Sequence, residues 1–277
     1  MQNDPQSVYE FGLRLYELGD LEACEQLLRV GLLQFPDDGR IVQLQGLVWH
    51  ARRRYVSAIR ALELASTLVP LSLPAQLAMA DAYRRSGRPN DARTILSFLA
   101  ERSDMPTVLL PDLTAGLGIV GEYQQALDVC REASRREPER DEPLYGMAYY
   151  MNKLSYPPEV ILPLLRQCRA LSPESRLYRT SLAVMCGRAG QWEEAYELFA
   201  EVDPATLRCQ TCLRFMIRVF EHIGDHERRD AGLCRLLELV DAQQRMLEQA
   251  GKPRTKRSRA GCSFDEPAKN IARSKSE

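Results

Sequence analysis

Histidine is scarce in this chain: three occur in 277 residues, His50, His222 and His226. None stands in a nucleophile motif, and no G-x-S-x-G, P-loop or H-E-x-x-H sequence occurs. The usual signatures of hydrolases, nucleotide triphosphatases and zinc proteases are missing, so the chain reads as non-catalytic and free of cofactors. Long apolar runs are missing too. None approaches the roughly 18 residues that a membrane-spanning helix needs. The first residues, Met1 to Pro5, supply neither a basic nor an apolar signal region, so no secretory signal is expected. Eight cysteines without framework spacing read as reduced thiols of a cytoplasmic protein.

What is present is ordinary globular composition, 45% hydrophobic and 27% charged. The net charge of −1 conceals an asymmetry. Residues 251–277 hold eight Lys and Arg against three acids, which gives the tail +5 and residues 1–250 −6. The tail is poor in apolar residues and reads as disordered. Its cations Lys252, Arg254, Lys256, Arg257 and Arg259 could make weak, salt-sensitive contact with nucleic-acid phosphate. That gives an alternative reading, a nucleic-acid-associated protein. The segment 252–259 has no aromatic residue for base stacking, so it would not read sequence by itself.

The body repeats its punctuation. Gly12 recurs as Gly46, Cys24 as Ala58, Gly31 as Ala65 and Pro36 as Pro70, each 34 residues on. Self-similarity at such a period marks a repeat architecture. Apolar residues at helical spacing, then a turn, then a second apolar helix closed by proline, fill each unit. The units fall near 5–38, 39–72, 73–106, 107–140, 141–175, 176–209 and 210–250. The second unit has Arg53-Arg54 where Gly-Asp stands in the first. The fifth carries Pro157-Pro158 where its second helix should begin, a place proline tolerates, and Pro163 further in should kink that helix. Short side chains such as Gly12 and Cys24 are expected where the paired helices cross.

This punctuation resembles the tetratricopeptide repeat. The related pentatricopeptide repeat has a 35-residue period, and the spacing here favours the former. The resemblance implies an all-α, right-handed superhelical solenoid of about seven helix–turn–helix repeats. It also implies a scaffold or adaptor that binds a peptide or helix of another protein in a concave groove lined by the first helices. On the repeat ruler that lining is Tyr9, Leu13 and Tyr16; Gln43, Leu47 and His50; Leu77, Asp81 and Arg84; Tyr145, Tyr149 and Asn152; and Arg214, Arg218 and Glu221. The four tyrosines are the expected anchors. Some members clamp a chaperone's C-terminal carboxylate with Lys, Asn and Arg. Here Tyr9 and Leu13 occupy the positions of repeat one, so that clamp is not expected.

Two patterns compete with the repeat. Gly116-Leu-Gly118-Ile-Val-Gly121 fits a dinucleotide fingerprint, which needs a strand before it and a helix after it. Only Thr107–Leu110 could serve as that strand, and Gly121 falls on the ruler as a turn glycine. Cys209-x-x-Cys212 with His222 and His226 has the residue types of a zinc or redox site. A helix over 204–223 would put Cys212 and His222 about 15 Å apart along its axis, too far for one ion.

Overall fold

The structure, a computed structural model, describes residues 4–249. The tail, including the five cations named above, lies outside the described residues. Fourteen α-helices and no strand occur among the described residues. The first repeat pairs α1 (Pro5–Glu17) with α2 (Leu21–Gln34), the second α3 (Gly39–Ala51) with α4 (Tyr55–Leu68), and the third α5 (Leu73–Arg85) with α6 (Pro89–Ala100). Next come α7 (Leu110–Val120) with α8 (Tyr123–Arg136) and α9 (Asp141–Lys153) with α10 (Pro158–Leu171). The last pairs are α11 (Arg176–Arg188) with α12 (Trp192–Ala200) and α13 (Gln210–Ile223) with α14 (His226–Gln249). The fold is an all-α helical-repeat solenoid. Its residues form two compact units that divide within α8, between Ala126 and Leu127.

Backbone chemistry sets the period. Every turn between paired helices holds one left-handed residue: Gly19, Arg53, Gly87, Gly121, Ser155, Gly190 and Gly224. Six steps separate them, each of 34 residues except the 35 from Ser155 to Gly190. The extra residue sits in the turn itself, because α10 starts three residues after Ser155 whereas the other second helices start two after theirs. The N-caps of the first helices keep the same ruler. Asp4, Asp38, Ser72, Ser175 and Cys209 each accept a backbone N–H of the helix that follows.

Small residues let the pairs cross closely. The Cys24 thiol reaches the Gly12 carbonyl at 3.2 Å. A Cβ on Gly46 would stand 2.7 Å from Leu62 Cγ within the second pair, and one on Gly146 of α9 would stand 2.6 Å from Cys130 Sγ of α8, between one pair and the next. In the N-terminal unit Leu28, Ile41, Leu44, Leu62, Leu99, Leu113 and Leu117 fill the core; in the C-terminal unit Tyr145, Tyr150, Phe199 and Phe220 do.

Two local expectations change. Thr107–Leu109 is a 3-10 turn and not a strand, and Gly116 and Gly118 lie inside α7. The helix expected over 204–223 is broken. Asp203 caps a short 3-10 turn at Pro204–Thr206, and α13 begins only at Gln210, where Cys209 caps it. In the fifth repeat α10 runs on through Pro163 to Leu171.

Candidate functional site

In the N-terminal unit α1 packs on α3, α3 on α5 and α5 on α7. The second helices α2, α4 and α6 make no comparable contact with one another. The first helices are therefore the inner row of this unit, and their outward side chains share one continuous face.

Tyr9, Leu13 and Tyr16 on α1 and Leu77 and Arg84 on α5 are half-buried. The Arg40 guanidinium stands 5.6 Å from the centre of the Tyr9 ring and pairs with Asp38 at 2.9 Å. His50 Nε2 lies 3.0 Å from Asp81 Oδ2. Arg84 and Arg85 donate to the same carboxylate at 2.5 and 2.9 Å. Burial alone would raise Asp81, but the hydrogen bonds from His50, Arg84 and Arg85 outweigh it and hold the carboxyl well below the usual range. His50, Asp81 and Arg84 thus form one hydrogen-bonded cluster, with Arg85 lying 5.3 Å over Tyr55.

Other residues expected in the lining lie within the packing. Gln43 is 8% exposed and its Oε1 accepts the backbone N–H of Ser72 at 2.9 Å. Leu47 is buried beside it in α3. Tyr145 and Tyr149, at 2% and 4% exposure, are structural in the C-terminal unit. The Tyr145 hydroxyl meets Ser181 Oγ at 3.2 Å and its ring tilts on Tyr178; Tyr149 meets Tyr150 edge-on. In that unit Asn152 accepts from Arg188, while Arg214, Arg218 and Glu221 are exposed, with Arg218 stacked near Phe215.

The residues of the competing motifs are placed by packing. Cys209 Sγ accepts the backbone N–H of Cys212 at 3.2 Å, and both are buried. His222 stacks on Trp192 at 4.4 Å. No group of three or more His, Cys, Asp and Glu placed to hold a metal occurs among the described residues. Burial pushes the Cys168 and Cys186 thiols up to about 12, where they stay protonated.

One feature of the site was missed in the sequence: the pairing of His50 with Asp81. A signal existed. The two are 31 residues apart, one repeat less one helical turn, which sets them side by side on adjacent first helices.

Comparison with known proteins agrees on architecture. No known family's sequence profile matches the chain, and no curated protein matches it in sequence. Many solved structures do. The C-terminal part of a TPR-repeat protein from Cytophaga hutchinsonii superposes with a TM-score of 0.63 at 10% identity, covering 87% of this chain and 98% of that one. A tetratricopeptide-repeat protein from Parabacteroides merdae gives 0.59 at 12% identity, covering 91% and 100%. YrrB, a TPR protein with an unusual peptide-binding site, gives 0.54 at 16% identity, covering 64% and 91%. The chain has the tetratricopeptide-repeat fold. No helix of the described residues is long and apolar enough to cross a membrane.

Proposed function

We propose that this chain is a non-catalytic, cytoplasmic interaction scaffold that holds a peptide or helix of another protein on the first-helix face of its N-terminal unit. The observation that carries this reading is the half-buried row of Tyr9, Leu13, Tyr16 and Leu77 beside the His50–Asp81–Arg84 cluster. Tyrosine offers broad contact area at low entropic cost, and the hydrogen-bonded cluster supplies polar contacts already fixed in place. The peptide-binding site of YrrB, which shares the fold, supports the same use here. Asn152, Arg214 and Arg218 give the C-terminal unit a polar surface of its own for further contacts.

The test is quantitative capture of partners by the wild-type chain and by Tyr9→Ala/Tyr16→Ala. Loss of two aromatic anchors should weaken a specific partner by about 2 kcal/mol or more. A variant that folds normally and retains every partner at wild-type yield contradicts the reading.

A further inference from the structure

We infer that the edge formed by the α3–α4 and α5–α6 turns is a docking surface for an acidic polypeptide segment. Residues 52–93 hold eight arginines against Glu63, Asp81 and Asp91, a net of +5, while the remainder of residues 1–250 carries −11. Five of those arginines, Arg52, Arg53, Arg54, Arg85 and Arg88, lie in or beside two consecutive turns.

Three features separate this edge from the other turns. First, Arg54 and Arg88 are the N-cap residues of α4 and α6 and make no capping hydrogen bond. Cations there oppose the helix dipole, and the first repeat uses Asp20 at the same position. Second, Arg53 takes the left-handed conformation that five other turns give to glycine. Its exposed side chain has no ion-pair or hydrogen-bond partner among the described residues. Third, cations outnumber the acids they hold. Glu25 serves both Arg52 and Arg54, and Asp81 serves both Arg84 and Arg85. Arg88 reaches Asp91 at 2.7 Å and Glu63 at 3.4 Å. These guanidiniums are already oriented toward carboxylates, and their shared partners leave donor capacity for more.

The occupant that fits is a short run of Asp and Glu. A long polyanion would meet the −8 carried by the rest of residues 1–126, whereas a short acidic segment meets only the edge. Nor is there a free aromatic platform for bases. Tyr55 lies under Arg85 and Tyr83 under Arg88, at 5.3 and 4.2 Å.

Fluorescence anisotropy of the full chain with a labelled peptide of about twelve residues, half of them glutamate, tests this against single-stranded DNA of equal charge. The comparison variant is Arg53→Gly/Arg54→Gln/Arg88→Gln, which leaves Tyr9, Leu13, Tyr16 and Leu77 untouched and keeps the first-helix face intact. The expected result is peptide binding that weakens steeply with salt and falls about tenfold or more in the triple variant. Absence of peptide binding, peptide binding unchanged in the variant, or tighter retention of DNA than of peptide at the same edge would each overturn the inference. Circular dichroism on both chains keeps a folding defect from imitating success. A partner lost from Tyr9→Ala/Tyr16→Ala but not from the triple variant would leave the first-helix reading intact while this one fails.

Discussion

The thiol of Cys24 on α2 donates to the carbonyl oxygen of Gly12 on α1 at 3.2 Å. Two helices approach this closely only where at least one of the facing side chains is short. The next repeat keeps the glycine: a Cβ on Gly12 would stand 3.1 Å from Leu28, and one on Gly46, 34 residues on, would stand 2.7 Å from Leu62 at the same place in its helix. The 34-residue spacing of these small residues is thus a packing requirement.

Gly46→Ala tests that requirement. Its Cβ would stand 2.7 Å from Cγ of Leu62, a fully buried branch carbon with no space to yield. Alanine improves helix propensity by about 1 kcal/mol, but overpacking costs about 1–3 kcal/mol. Denaturant unfolding should show a net loss near 1 kcal/mol. A more stable variant would mean that the crossing is looser than described.

The turns make the opposite prediction. Arg53 and Ser155 hold φ near +60° where five other turns use glycine. A side chain in that region costs about 1–2 kcal/mol, part of which glycine returns through a freer unfolded chain. Arg53→Gly and Ser155→Gly should each stabilise by about 0.5–1 kcal/mol, read as a rise in thermal midpoint. Gly87→Ala should destabilise by a similar amount. No rise in either glycine variant would remove backbone strain from the account.

Asp81 links stability to acid. Its carboxyl is held low in the folded chain, so its contribution is fully present above the unfolded carboxylate pKa near 3.9. That contribution is lost as pH falls below this value toward the folded one. Thermal midpoints measured from pH 6 to pH 2.5 should fall less steeply in Asp81→Asn than in the wild type. At pH 7 the same variant should lose about 1–2 kcal/mol, because the amide cannot accept from both Arg84 and Arg85 as the carboxylate does. Parallel acid curves would show that the cluster with His50, Arg84 and Arg85 contributes nothing to folding.

Thiol labelling separates packing cysteines from a reactive pair. Cys24, Cys130, Cys168, Cys186, Cys209 and Cys212 are buried, and Cys234 is exposed. Brief treatment of the native protein with an alkylating reagent, mapped by mass spectrometry, should modify Cys234 and spare those six. Rapid labelling of Cys209 or Cys212 would restore a redox reading of that pair.

Much of the fold was legible because the repeat has few ways to be built. Gly19, Gly87, Gly121, Gly190 and Gly224 mark the turns, and the small residues mark the crossings. The ruler also placed the turns at Arg53 and Ser155, but not their left-handed backbone, which neither residue type announces. Cys209 read as one half of a metal or redox motif because the capping ruler of Asp4, Asp38, Ser72 and Ser175 becomes visible only once helix starts are known. The face was less legible than the fold. Ruler positions say which residues share a row, but not how deeply each sits. Tyr145 and Tyr9 occupy the same ruler position, yet Tyr145 is covered by Tyr178 and Ser181 while Tyr9 stays half-buried.

The most direct test of the central claim places a photocrosslinking amino acid in the full chain, one position at a time. Leu13 and Leu77 sample the first-helix face, and Leu33 on α2 and Phe98 on α6, 83% and 57% exposed, sample the second helices. Irradiation in cells, followed by mapping of the crosslinked peptides, should join a recurring segment of another protein to positions 13 and 77 and not to 33 and 98. A partner captured only from positions 33 and 98 would contradict the account and assign recognition to the second-helix surface.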